Sequence, residues 1–104
     1  MLSQDARAGV QRAKALADPT RLQIALEIRA HPHGSIDQIA ERVDRHQSLV
    51  SRHCTRLYEA GLAHRNATGH PHYWLTDYGE ALLVLLMSGE AHSRSNRPAI
   101  SASE

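Results

Sequence analysis

The stretch from Ser35 to Gly61, SIDQIAERVDRHQSLVSRHCTRLYEAG, constrains the fold more than any other part of this chain. Ser35 followed three residues later by Gln38 is a capping-box pattern, and it opens a short helix whose Ile36, Ile39, Ala40 and Val43 face inward. Asp44-Arg45-His46 supplies a tight turn. From Gln47 a second helix is expected to run to Ala60 and to stop at Gly61, whose freedom to take positive φ suits a helix C-terminus. On that helix Ser48, Ser51, Arg52 and Thr55 follow the i, i+3, i+4, i+7 spacing of one stripe, while Val50, Cys54 and Leu57 share another. One side is built to pack and the other to meet a polar partner.

The flanking segments supply what two short helices lack, a core to pack on. Asp5 to Ala17 places Ala6, Val10, Ala13 and Ala17 near one face of a weakly apolar helix, which needs a partner surface to be stable. Asp18-Pro19 is a helix start, with an aspartate oxygen for an orphan N–H and proline at the first helical position. The helix it opens, Pro19 to Ala30, spreads Leu22, Ile24, Ala25, Leu26 and Ile28 over a broad arc and is expected at the centre of the core. His31-Pro32-His33-Gly34 ends it. Leu62 to Asn66 and His72 to Leu75 flank Ala67-Thr68-Gly69-His70-Pro71, which reads as a two-stranded hairpin with a projecting loop. The expected fold is therefore mostly α with a small β-hairpin wing, a winged helix-turn-helix in the order helix, helix, helix, helix, strand, strand, helix.

Thr76 can cap a last helix beginning at Asp77, and the run Ala81-Leu82-Leu83-Val84-Leu85-Leu86-Met87 makes that helix apolar all round. In a domain of this size one side packs at home and the other needs a second copy. A two-fold homodimer through the first and last helices is expected, with Val10, Leu82, Leu85 and Leu86 at the interface. With 104 residues the chain has room for one modest core. One domain is expected over residues 1–90, and the Ser-, Arg-, Asn- and Pro-containing residues 91–104 are expected to form a disordered tail. The single cysteine excludes an intrachain disulfide, and the longest apolar run is far short of the ~20 residues of a membrane span. A cytoplasmic protein with no membrane partner is the expectation.

A net charge of +1 gives no bulk attraction to nucleic acid, so DNA recognition would have to be local. An α-helix fits the major groove, Arg can pair bidentately with guanine, and Ser and Thr can bond bases or phosphates. Gln47, Ser48, Ser51, Arg52 and Thr55 form the candidate base-and-phosphate set, with Arg45 and Arg56 at its margins. Arg65, His70 and His72 on the hairpin are placed to reach phosphates or the minor groove. The plainer alternative for the stripe is a solvated helix face. His53 could touch DNA or sit at the core edge, and Cys54 reads as a buried structural thiol.

The residues LADPTRLQIALEI, then SIDQIAERVDRHQSLVSRHCTRLYEAGL, then HYWLTD resemble the ArsR/SmtB family of dimeric winged helix-turn-helix repressors, over roughly Leu16 to Leu86. The resemblance implies double-stranded operator DNA as partner, a dimer joined by the first and last helices, and an effector that releases or recruits the repressor. MarR and PadR proteins share the wing, but their longer coiled-coil extensions are not expected on this reading.

Members of the ArsR/SmtB family that sense metals often carry D-x-H-x10-H-x2-H/E along the last helix; starting from Asp77 the corresponding positions here are Gly79, Glu90 and Ser93, so that site is degenerate. The family's cysteine pair before the turn would fall in IDQIAERV, which has no cysteine. Eight histidines nevertheless offer imidazole ligands for a transition-metal ion such as nickel or zinc. The candidate sets are the pair His31 and His33, the pair His70 and His72, and a rearranged site of Asp77, Glu90 and His92. Solvated loop histidines are the competing reading. A separate sensory partner protein would be compatible with a degenerate ligand set, and a winged helix that docks on protein is a further alternative. No glycine-rich phosphate loop, nucleophile elbow or zincin pair appears, so no enzyme is expected.

Overall fold

The computed structural model describes residues 2–66 and 69–88. The helices are α1 (Gln4–Ala15), α2 (Pro19–Ala30), α3 (Ile36–Val43) and α4 (Gln47–Glu59), followed by α5 over residues 77–88. Three short strands, β1 (Gly34–Ser35), β2 (Ala63–Arg65) and β3 (His72–Leu75), form an antiparallel sheet in the order β1-β3-β2. The chain is a winged helix-turn-helix domain. No helix among the described residues is long and apolar enough to cross a membrane.

Local chemistry accounts for the helix boundaries. Ser3 caps α1 by accepting from the Ala6 N–H at 3.1 Å, and Asp18 caps α2 by accepting from the Arg21 N–H at 2.8 Å. The α3 capping box is complete: Ser35 Oγ accepts from the Gln38 N–H, and Gln38 Oε1 accepts from the Ser35 N–H at 3.0 Å. Asp44 takes the left-handed conformation after α3, and Gly61 does so after α4 with φ of 78°. The first helix ends two residues before the expected Ala17. Leu16 and Ala17 instead make tighter bonds to the Ala13 and Lys14 carbonyls, which buries Leu16 and frees Asp18 to cap α2.

The sheet differs from the expected two-stranded hairpin. Gly34 and Ser35 pair with Tyr73 and His72, adding a third strand that extends β3 on the side away from β2. The His33 N–H donates to the Tyr73 carbonyl at 2.7 Å, continuing the ladder one residue before β1. A strand this short lacks the alternation that makes strands recognisable, and in sequence its residues look like a helix breaker.

The core lies where α2, α3 and α4 meet the sheet. Ile24 and Ile28 from α2, Ile39 from α3, Val50, Cys54 and Leu57 from α4, and Tyr73 from β3 are all buried in it. Leu83 joins from α5, so that helix packs one side on its own domain as expected. Thr76 ties the junction together: its Oγ1 donates to the Gly61 carbonyl at 2.8 Å and accepts from the Gly79 N–H at 2.9 Å. The end of α4 and the start of α5 are thereby held by one side chain.

Candidate nucleic-acid interface

The two faces of α4 are chemically opposite. Val50, Cys54 and Leu57 are inaccessible to solvent, whereas Gln47, Ser48, Ser51, Arg52 and Arg56 are exposed and Thr55 is half-buried at the stripe's edge. Burial fixes the rotation of the helix, and the rotation carries the polar stripe outward. Arg45 is exposed in the turn that precedes it, so the sequence-derived set from Arg45 to Arg56 occupies one continuous surface.

His46 is the N-cap of α4, whereas the sequence placed it only inside the turn. Its Nδ1 accepts from the Ser48 N–H at 3.1 Å and lies 2.9 Å from Ser48 Oγ. Ser, Thr, Asp and Asn are the usual cap residues, so an imidazole cap gives no strong signal in sequence. It orients Ser48 at the exposed first turn.

The histidine next along the helix has a different position. His53 sits at the core edge, its side chain 13% exposed, where Nδ1 accepts from Arg21 Nε at 3.1 Å. This resolves the two readings of His53 in favour of packing. Burial first, then the neighbouring Arg21, lowers its pKa from the ordinary 6.5; Asp18 opposes this and Arg52 and Arg56 add to it. Between the two pKa values the unfolded chain binds more protons than the folded one. The associated stability is complete above pH 6.5 and is lost as pH falls below it, levelling off once below the folded-state pKa. Thermal melts at roughly pH 5 and about pH 7.5 should differ in that direction, and His53→Gln should shrink the difference. Cys54, beside it, is wholly buried, and burial pushes its thiol up to about 12. Such a thiol carries little thiolate at neutral pH and is the structural group expected from the sequence.

On the wing, Arg65 is exposed but already engaged. Its guanidinium lies 4.1 Å over the Tyr58 ring, and a side-chain hydrogen bond with Tyr73 raises its pKa. Arg65 thus braces β2 against the end of α4. His72 Nδ1 donates to the His33 carbonyl at 2.9 Å, and its backbone N–H donates to Asn66 Oδ1 at 2.7 Å. His70 is exposed at the loop, whose residues 67 and 68 lie outside the described residues.

Among the described residues, several members of the proposed metal sets are engaged by other groups. His31 pairs with Glu27 at 3.5 Å, while His33 packs its ring on Trp74 with centroids 4.8 Å apart. Asp77 is exposed at the start of α5; Glu90, His92 and the tail 91–104 lie outside the described residues. Among the described residues no group of three or more His, Cys, Asp and Glu side chains is arranged to hold a metal ion. Gly79, where the ArsR/SmtB metal-sensor pattern has histidine, is pressed against Leu62: an added Cβ would overlap the carbonyl oxygen of Leu62 and lie 3.0 Å from its carbonyl carbon. No side chain fits there.

The apolar side of α5 that is not used by the core is open. Leu85 is 68% exposed, Leu86 44%, Tyr78 49%, and Val10 on α1 is 41% exposed. Leu82 is shared, packing partly on the core while lining, with Tyr78, Ala81 and Leu85, a hollow of about 220 Å³. Arg12 of α1 lies 4.2 Å over the Tyr78 ring, bringing the first and last helices side by side.

Residues 16–78 match the family model described as HVO_A0114. No curated protein matches the chain. Among solved structures, HlyU from Vibrio cholerae is 26% identical, with a TM-score of 0.68 over 80% of this chain and 88% of that one. NolR from Sinorhizobium fredii is 22% identical, with a TM-score of 0.71 over 85% and 93%. Mb0332 from Mycobacterium bovis is a homodimeric winged helix-turn-helix DNA-binding domain described as a possible ArsR-family transcriptional regulator. It is 20% identical, with a TM-score of 0.78 over 92% of this chain and 93% of that chain.

Proposed function

We propose, for a chain that belongs to the HVO_A0114 family and folds as a winged helix-turn-helix, the role of a homodimeric transcriptional regulator that binds double-stranded operator DNA. The observation that carries this reading is the exposed stripe of Gln47, Ser48, Ser51 and Arg52 on a helix whose other face is sealed in the core. In this reading α4 enters the major groove, Arg52 reads a base edge, the hydroxyls of Ser48 and Ser51 bond bases or phosphates, and the wing approaches the flanking backbone. The open apolar strip of α5 and Val10 on α1 bring two copies together, so that two α4 helices meet successive major grooves about one helical turn apart. The order of elements and the homodimeric relative support an ArsR-type repressor as the finer assignment.

Selection of bound duplexes from a random-sequence library, followed by gel shift on the selected site, tests the DNA-binding role. Arg52→Ala is expected to weaken specific binding roughly 10- to 100-fold, since a bidentate base contact is worth about 1–3 kcal/mol. Arg52 is exposed, so circular dichroism should show an unchanged fold. Equal affinity of the two proteins for the selected duplex would remove Arg52 from the reader, and failure to enrich any duplex would remove DNA as the ligand.

A further inference from the structure

Lys14, Arg21 and Arg56 surround a cleft of about 480 Å³ where the end of α1 and the first turn of α2 face the last turns of α4. Glu59 is the one carboxylate in its lining, so the cations exceed the anions there. The salt bridges among the described residues involve neither Lys14 nor Arg56. Arg21 is fixed in place: Nη1 donates to the Ala15 carbonyl at 3.1 Å and Nε donates to His53 Nδ1 at 3.1 Å. Its remaining N–H groups stay available to a ligand. A positioned guanidinium flanked by two further cations is a donor set for a tetrahedral oxyanion, and the volume lies in the range of small-ligand pockets.

We propose that this cleft binds a phosphate-class anion. The Arg21–His53 bond gives the site a physical connection to α4, because His53 follows Arg52 directly in that helix. An anion that draws Arg21 toward the cleft strains or breaks that bond and so acts on the helix carrying the polar stripe. Two sources present the same chemistry: a small phosphorylated molecule, or a backbone phosphate of DNA lying along α4.

Two measurements on the full chain separate them. Titration with inorganic phosphate and with pyrophosphate, followed by ¹H–¹⁵N spectra against sodium chloride at equal ionic strength, should give saturable shifts at Lys14, Arg21, His53 and Arg56. The double variant Lys14→Gln/Arg56→Gln, both side chains being exposed, should keep the fold and weaken binding about tenfold, because two charge-assisted hydrogen bonds to the anion are removed. This arm contains no DNA, so its outcome is independent of the regulator reading. In the second arm the variant is Lys14→Gln alone, because Arg56 also borders the polar stripe of α4; if DNA occupies the cleft, the salt dependence of duplex binding becomes shallower by roughly one. Saturable anion binding with an unchanged salt slope assigns the cleft to a small ligand. Absence of saturable shifts together with an unchanged slope overturns the proposal, as do shifts that persist undiminished in the double variant.

Discussion

Gly79→Ala is expected to destabilise the domain by about 3 kcal/mol, at the upper end of ordinary overpacking, and to lower its melting temperature by roughly 15 °C. The cause is local and rigid. A Cβ at this position meets the backbone of Leu62, which cannot rotate away as a side chain would. Leu62 is buried, its N–H donates to the Leu57 carbonyl at 2.9 Å, and its own carbonyl accepts from the Thr76 N–H at 3.1 Å. Moving that carbonyl disturbs the bond that starts the return from β3 into α5. Moving α5 instead pulls Leu83 from the core and the Gly79 N–H from Thr76 Oγ1. Chemical denaturation of the variant measures the effect, and a melting temperature within about 2 °C of the parent would show that α5 can retreat from Leu62 without loss.

The same glycine shows where sequence reading stops. In sequence Gly79 is only the place where a ligand pattern lacks its histidine; the structure supplies a steric reason why histidine is excluded. That reason depends on how closely α5 approaches a loop seventeen residues earlier, a distance no periodicity encodes. The elements themselves were far more legible. The bounds of α2 and β3, the capping box of α3 and the glycine after α4 all follow from local signals, since caps and turn residues act within a few bonds of where they are read. The polar stripe of α4 was legible for a related reason, because a helix with one apolar face has only one orientation to choose. By contrast β1, the His46 cap and the engagement of Arg65 by Tyr58 and Tyr73 arise from tertiary neighbours. Lys14 and Arg21 escaped notice as ligand candidates because each is an ordinary helix-surface cation until α4 is folded against them.

Leu85→Glu is expected to separate the proposed dimer while leaving the protomer folded. Leu85 is 68% exposed in the isolated protomer, so a carboxylate there remains hydrated and costs the fold little. At a two-fold interface the substitution occurs twice, replacing two buried apolar side chains of about 1.5–3 kcal/mol each with two anions that must lose water. A rise of at least about a thousandfold in the dimer dissociation constant follows, equivalent to about 4 kcal/mol. Sedimentation velocity should then show a monomer with an unchanged circular dichroism spectrum. Leu83 lies two residues earlier but is wholly buried, so Leu83→Ala should instead lower stability by about 2–5 kcal/mol. The two variants divide α5 into a side that holds the domain together and a side that joins two domains. Their effects on DNA should diverge in the same way, since the folded Leu85→Glu monomer can still present one reader helix but cannot hold two at a fixed spacing. A Leu85→Glu protein that sediments as a stable dimer would move the interface off this face and leave the exposed leucines of α5 to another partner.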